Sequence, residues 1–300
     1  MSAQRKNLDG FAISLMLVLC LCWGLQQVAV KLAAPVIGAS MQLGLRSGLA
    51  AVLVLLLILI KKIPFSLRDK HVVPGIAAGV LFAIEFLCIS LGLKYTTASH
   101  MSVFLYTAPI FTVLGLHWLI PAERLQSTQW LGILSAFAGV AIAFSGAFSS
   151  SQRDVADMLI GDSFGVAAAI LWAATTITIR KSNLSEAEPT TTLFYQLAVA
   201  AVILLAFVFL RGESLPVQWD MTSIISLVFQ TVVIAFASYL TWFWLMRRYL
   251  ASRLSVFSFL TPLFGVAAGV ILMHDPISPR FALGAVLVCG GIVLVNFRRT

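Results

Sequence analysis

The residue with the most chemistry to offer in this 300-residue chain is Glu85, a carboxylate about midway along an apolar run at 72–92. A charge placed in hydrocarbon is costly, so such a carboxylate marks a route for ions or solutes, or sits against a counter-charge. Burial disfavours its ionised form, which suits a group that loads and releases a proton. The alternative is structural. Arg46 is the basic residue left inside another apolar run, and it either pairs with Glu85 or snorkels outward alone.

Other polar and aromatic groups recur at helical spacing. Trp23, Gln26 and Gln27 lie about twelve residues into one run, and Trp172, Thr175 and Thr176 lie equally deep in another. Mid-run indoles and amides need partners, so they line a cavity or pack together in the core. Ser99, Ser102, Tyr106 and Pro109 follow one another at three or four residues and share a helical face; Ser252, Ser255, Phe259 and Pro262 repeat that arrangement. Both faces fit a solute pathway with the prolines as flexible points, and equally fit close packing of small residues. Gln230, Ala237 and Thr241 share a further face, with Tyr239 and Trp242 beside it. The candidate solute contacts are therefore Trp23, Gln27, Glu85, Ser102, Tyr106, Trp172, Thr176, Tyr239, Trp242 and Ser255. His71, His100, His117 and His274 are scattered and form no His-Glu-x-x-His pair, and no Gly-x-Ser-x-Gly turn occurs, so no catalytic residue, metal site or cofactor is expected. Cys20 and Cys22 stand two apart and do not share a face, which argues against a disulfide framework.

The elements that must position these groups are membrane helices. With 60% hydrophobic and 11% charged residues, the chain departs far from soluble domains, about a quarter of whose residues are charged. Continuous apolar runs near 11–31, 40–60, 72–92, 98–118, 127–147, 160–180, 190–210, 222–245, 253–273 and 279–297 predict an all-α integral membrane protein of ten transmembrane helices. A tract returns about 153 residues on: Ala98-Ser99-His100-Met101-Ser102-Val103-Phe104 with Pro109 is echoed by Ala251-Ser252-Arg253-Leu254-Ser255-Val256-Phe257 with Pro262. Trp23 with Lys31 is likewise matched by Trp172 with Arg180. Five spans per copy make the second copy enter from the opposite side, so the expected plan is two inverted five-helix repeats, 1–148 and 149–300. Most of the 20 Lys and Arg, among them Lys61, Lys62, Arg180 and Arg247, fall on the N-terminal side of the spans, which predicts cytoplasmic termini. The formal charge of +8 is spread over short loops and forms no patch for nucleic acid. No Gly-rich phosphate loop and no loop long enough for an ATP-binding domain is present, so transport energy would come from a gradient.

At Trp23-Gly24, Leu45-Arg46, Lys94-Tyr95-Thr96-Thr97-Ala98-Ser99, Tyr106-Thr107-Ala108-Pro109 with Glu123-Arg124-Leu125, and Ser238-Tyr239-Leu240-Thr241-Trp242-Phe243, the chain resembles the drug/metabolite transporter superfamily, specifically its EamA-type members. Ala122 and Asp275-Pro276 depart from the usual loop pattern. The resemblance implies a multi-pass carrier in the bacterial inner membrane. In it spans one, three, four, six, eight and nine surround a central cavity, and small metabolites such as amino acids are exported by alternating access. An exchanger of nucleotide-sugar or phosphate solutes is the near alternative, disfavoured by the lack of several buried Lys and Arg. An intramembrane enzyme or a non-transporting subunit stands further off. The expected partners are a small-molecule solute and the lipid bilayer, with proton coupling through Glu85 as one reading. The oligomeric state is left open, because Gly132, Gly139, Gly284 and Gly291 suit packing within or between protomers.

Overall fold

A computed structural model describes residues 6–64, 69–96, 98–150, 155–213, 215, 218–273 and 279–296, with backbone alone at 27, 98–100, 102, 146–150, 266, 269–270 and 272–273. The order of its α-helices is α1 (Gly10–Ala33), α2 (Ala39–Ile60), α3 (Val72–Gly92), α4 (Ala98–Leu105), α5 (Ala108–Leu119), α6 (Ser127–Ser150), α7 (Val155–Lys181), α8 (Pro189–Leu210), α9 (Met221–Val228), α10 (Tyr239–Arg248), α11 (Ala251–Val256), α12 (Leu260–Met273) and α13 (Pro279–Asn296). Among the described residues eight stretches are long and apolar enough to cross a membrane: α1, α2, α3, α6, α7, α8, α13 and the continuous Met221–Arg248. Large apolar side chains such as Leu59, Leu210 and Val286 remain exposed on the outside of the bundle, as a lipid-facing surface requires.

The runs expected as the fourth and ninth spans are each broken. Proline explains both breaks, because it offers no N–H to the carbonyl four residues back and its ring crowds that carbonyl. Before Pro109, α4 ends at Leu105 and the Thr107 hydroxyl donates to the Phe104 carbonyl at 2.6 Å. Before Pro262, a 3-10 turn at Phe257–Phe259 separates α11 from α12, and the Cys20 thiol donates to the Phe257 carbonyl at 3.2 Å.

A second irregularity lies between α9 and α10, where Phe229–Ser238 winds as a π-helix. Its wider turn changes the phase of the residues that follow. Gln230 therefore does not share the face of Ala237 and Thr241. Gln230 is fully buried and donates to Gln42 Oε1 at 2.7 Å, Ala237 is exposed, and the Thr241 hydroxyl returns to the Ala237 carbonyl at 2.9 Å.

Two glycine pairs set the contact between α6 and α13. A Cβ on Gly132 would stand 2.6 Å from the Gly291 carbonyl oxygen, and one on Gly139 would stand 2.6 Å from that of Gly284. The lower residue of one helix meets the higher residue of the other, so the two run antiparallel in close backbone contact. Gln129 donates to the Val295 carbonyl at 2.7 Å along the same seam. These small-residue faces are thus occupied inside one chain. At the start of α1, Asp9 accepts from the Ala12 N–H at 2.9 Å and from the Tyr249 hydroxyl at 2.8 Å. These two donors, the Ala12 amide first, hold its carboxyl below the usual carboxylate range.

Candidate functional site

Seven of the ten residues singled out from the sequence converge on one cavity of about 180 Å³: Trp23 from α1, Glu85 from α3, Tyr106 from the break after α4, Trp172 and Thr176 from α7, and Tyr239 and Trp242 from α10. Gln26 and Thr175, their neighbours in sequence, line it as well. Aromatic side chains hold one another edge to face. Trp23 meets Trp242 and Tyr106 meets Trp172, each with ring centroids 5.8 Å apart, the separation and tilt that aromatic quadrupoles favour. The Trp23 indole N–H donates to the Ser238 hydroxyl at 2.9 Å, so the indole keeps its polar end satisfied while its face borders the cavity.

Ser255 does not join them. Its hydroxyl donates to the Ala251 carbonyl of its own helix at 2.8 Å, and none of the described residues of α11 or α12 lines the cavity. Ser252, on the same helix, is fully buried and gives its hydroxyl to Glu123. The side chains of Gln27 and Ser102 lie outside the described residues. In place of the ninth span, the second and seventh contribute: Ala39 and Leu43 from α2, and Gln196 from α8. Gln196 was not anticipated. It is a lone buried amide in an apolar run, with Oε1 unpartnered among the described residues, and that isolation was the available signal. Phe82, Phe86 and Phe243 also line the wall; a phenylalanine facing a cavity looks the same in sequence as one facing lipid.

The ends of the cavity differ. Toward the last turns of α1 and α3 it reaches Val30 and Leu93, and Leu93 is 37% exposed. Toward the last turn of α7 it stops at Ile179 and Phe243, which also border a second, small pocket beyond. Next to Ile179 lies a fully buried ion pair. Glu123 Oε1 accepts from Arg180 Nε at 2.9 Å and from Arg180 Nη2, and the side chains are 0% and 3% exposed. The same carboxylate receives the first N–H groups of α11, from Ala251 at 3.1 Å and Ser252 at 3.0 Å, together with the Ser252 hydroxyl at 2.6 Å. A carboxylate at a helix N-terminus meets both unpaired N–H groups and the positive end of the helix dipole. One side chain from the loop after α5 thereby ties α7 to α11 beside this end of the cavity.

Glu85 is 6% exposed and has no hydrogen bond or ion pair among the described residues. Arg46 is 1% exposed; its Nη2 donates to the Tyr239 hydroxyl at 3.4 Å and its guanidinium stacks over Phe86, 5.1 Å from the ring centroid. The two opposite charges are not directly paired, which sets aside the simplest structural role for Glu85.

A helical membrane bundle that holds an aromatic and amide-lined cavity with one acid has the features of a small-molecule transporter. The chain belongs to the EamA-like transporter family, whose model matches residues 10–145 and 159–297. It is 28% identical to a probable amino-acid metabolite efflux pump of Escherichia coli (strain K12) over 94% of each chain. It is 26% identical to the aromatic amino acid exporter YddG of the same organism, over 86% of this chain and 89% of that one. A solved structure with 20% identity superposes with a TM-score of 0.80 over 96% of both chains, a likeness of fold.

Proposed function

We propose that this protein is a secondary carrier that exports amino acids or related amphipathic metabolites across a bacterial inner membrane by alternating access. The observation that carries the reading is the cavity itself. Indole, phenol and amide groups from α1, α7, α8 and α10 surround a single unpaired carboxylate, a lining suited to a solute with an apolar body and a cationic group. The names of the two relatives point to the same solute class. A polyanionic solute is disfavoured because the lining contains no Lys or Arg.

In this reading the two halves are inverted five-helix repeats, making ten spans with both termini cytoplasmic. The reciprocal glycine pairs, 132 with 291 and 139 with 284, support it, since a two-fold axis between α6 and α13 exchanges one pair for the other. The breaks before Pro109 and Pro262 fall at corresponding positions and support it as well. The Glu123–Arg180–α11 cluster is the closed gate, and the cavity faces outward past Leu93. Glu85 holds either a proton or the solute's cationic group, so that the two exchange across the membrane.

Solute flux in proteoliposomes tests this reading, with wild type compared with Trp23→Ala. The expected result is saturable amino-acid flux that the variant weakens while remaining inserted and folded. Absence of wild-type flux for a broad panel of amino acids and metabolites would overturn it. So would loss of Trp23→Ala from the membrane with no selective transport defect, which would make the indole a packing group.

A further inference from the structure

Arg46 is an anomaly for a membrane helix. Its side chain is among the largest fully buried ones, yet Nε and Nη1 have no hydrogen-bond partner among the described residues, and no carboxylate pairs with it. Glu85 lies close enough to interact with this charge without touching it, so the guanidinium is only partly offset and, being buried, is weakly screened by solvent. Tyr239, to which it donates, and Phe86, over which it stacks, both line the cavity, so the charge lies one side chain behind the wall.

The hydrogen bond to Tyr239 has a directional consequence. Arg46 is a donor only, so the phenol oxygen must accept from it, and the phenol's own proton must point elsewhere. The Tyr239 ring is held edge-on by Phe82, with centroids 6.0 Å apart, which limits where the hydroxyl can swing. The oxygen thus has a lone pair engaged with Arg46, a proton left to donate, and a positive charge behind it that strengthens that donation. Glu85 offers the complementary group, an acceptor on the same cavity with no partner among the described residues.

We infer that Tyr239 and Arg46 form the anion end of the solute site. Tyr239 donates its O–H to the carboxylate of an α-amino acid, and Arg46 acts as a positioning residue that orients the phenol and supplies charge from behind. Glu85 receives the ammonium group of the same solute. The inference rests on the carrier reading and narrows it to zwitterionic solutes bearing a free carboxylate.

Three probes that share a ring and differ only in their charged ends separate the contributions: L-phenylalanine, phenethylamine without the carboxylate, and 3-phenylpropionate without the amine. Their affinities are measured from binding-induced shifts in melting temperature of the purified full-length protein. In wild type, L-phenylalanine is expected to bind about tenfold more tightly than phenethylamine, the size of one charge-assisted hydrogen bond. Tyr239→Phe removes a single hydroxyl and is expected to bring that ratio close to one while leaving phenethylamine affinity unchanged. Arg46→Lys keeps the charge but loses the planar donor geometry, and is expected to give an intermediate ratio. An undiminished ratio in Tyr239→Phe overturns the inference, as does an equal loss for L-phenylalanine and phenethylamine, which is the signature of packing. If Arg46→Lys fails to fold, Tyr239→Phe decides alone. Wild-type protein that binds none of the three probes also overturns the inference, and flux of other solutes would then leave the carrier reading standing.

Discussion

Replacing Glu123 by alanine removes the acceptor for five donor groups at one stroke, three of which belong to α11. What remains is Arg180, with 3% of its side chain exposed, and two N–H groups at the start of α11 with no other partner among the described residues. Breaking one side of a buried ion pair costs about 3–5 kcal/mol, most of it the penalty for the orphaned charge. For a chain of this size that corresponds to a fall in melting temperature on the order of 10 °C. Arg180→Ala strands the carboxylate instead and should cost a comparable amount, though the α11 amides still neutralise part of it. The double variant leaves no buried charge, so its loss should be smaller than the sum of the single losses by about 2–3 kcal/mol. Glu123→Gln keeps the shape and one acceptor oxygen, and should fall between wild type and alanine. Melting of the four variants in one detergent, followed by intrinsic tryptophan fluorescence, measures these differences. The same disruption should loosen the closed end: a cysteine placed at Ile179 should be labelled faster in the Glu123→Ala background than in wild type. Additive losses of less than about 1 kcal/mol each, with unchanged labelling, would refute the reasoning, because they would mean that water already screens the pair.

Glu85→Gln should abolish the pH dependence of flux and weaken exchange of zwitterionic solutes, because the ammonium group loses its counter-charge. It should change the melting temperature little, since no ion pair is broken; flux with its pH dependence intact would exclude Glu85 from coupling. Gly139→Ala should cost about 1–3 kcal/mol by overpacking against the Gly284 carbonyl. Gly290→Ala on the same α13 meets nothing within 4 Å and should be neutral or slightly stabilising in the same melting assay. Asp9 contributes stability that is present above its unfolded pKa and lost as pH falls through its lower folded value, so wild type should lose part of its stability on acidification. Asp9→Asn should lack that component, which melting curves between neutral pH and about pH 3 will show.

Much of this molecule was legible in the chain because a bilayer leaves few solutions: long apolar runs must be helices, and eight of the ten expected runs are matched by stretches long and apolar enough to cross a membrane, whereas those at 98–118 and 253–273 are interrupted ahead of Pro109 and Pro262. The site was legible to the extent that its members are costly in hydrocarbon. Trp23, Glu85, Tyr106, Trp172 and Tyr239 stood out as polar or amphipathic groups deep in apolar runs, and they converge. Gln196 satisfied the same criterion and could have been read in the same way.

What the sequence did not decide was where each polar group spends its hydrogen bonds. Ser255 has the spacing of a pathway residue, but its hydroxyl turns back on its own helix, because a serine in a helix can satisfy itself on the carbonyl four residues earlier. Gln230 and Thr241 appeared to share a face until the π-helical stretch changed the phase between them, a change that no local periodicity announces. Glu123 looked like a loop residue, and only tertiary packing brought Arg180 and the start of α11 onto its carboxylate. Arg46 and Glu85 invited pairing by charge, and the fold instead placed Arg46 against Tyr239 and left Glu85 on the cavity. Solvent cost is a property of a residue in its own run and can be read one helix at a time. Partner choice depends on the distances between helices, which exist only once the bundle has packed.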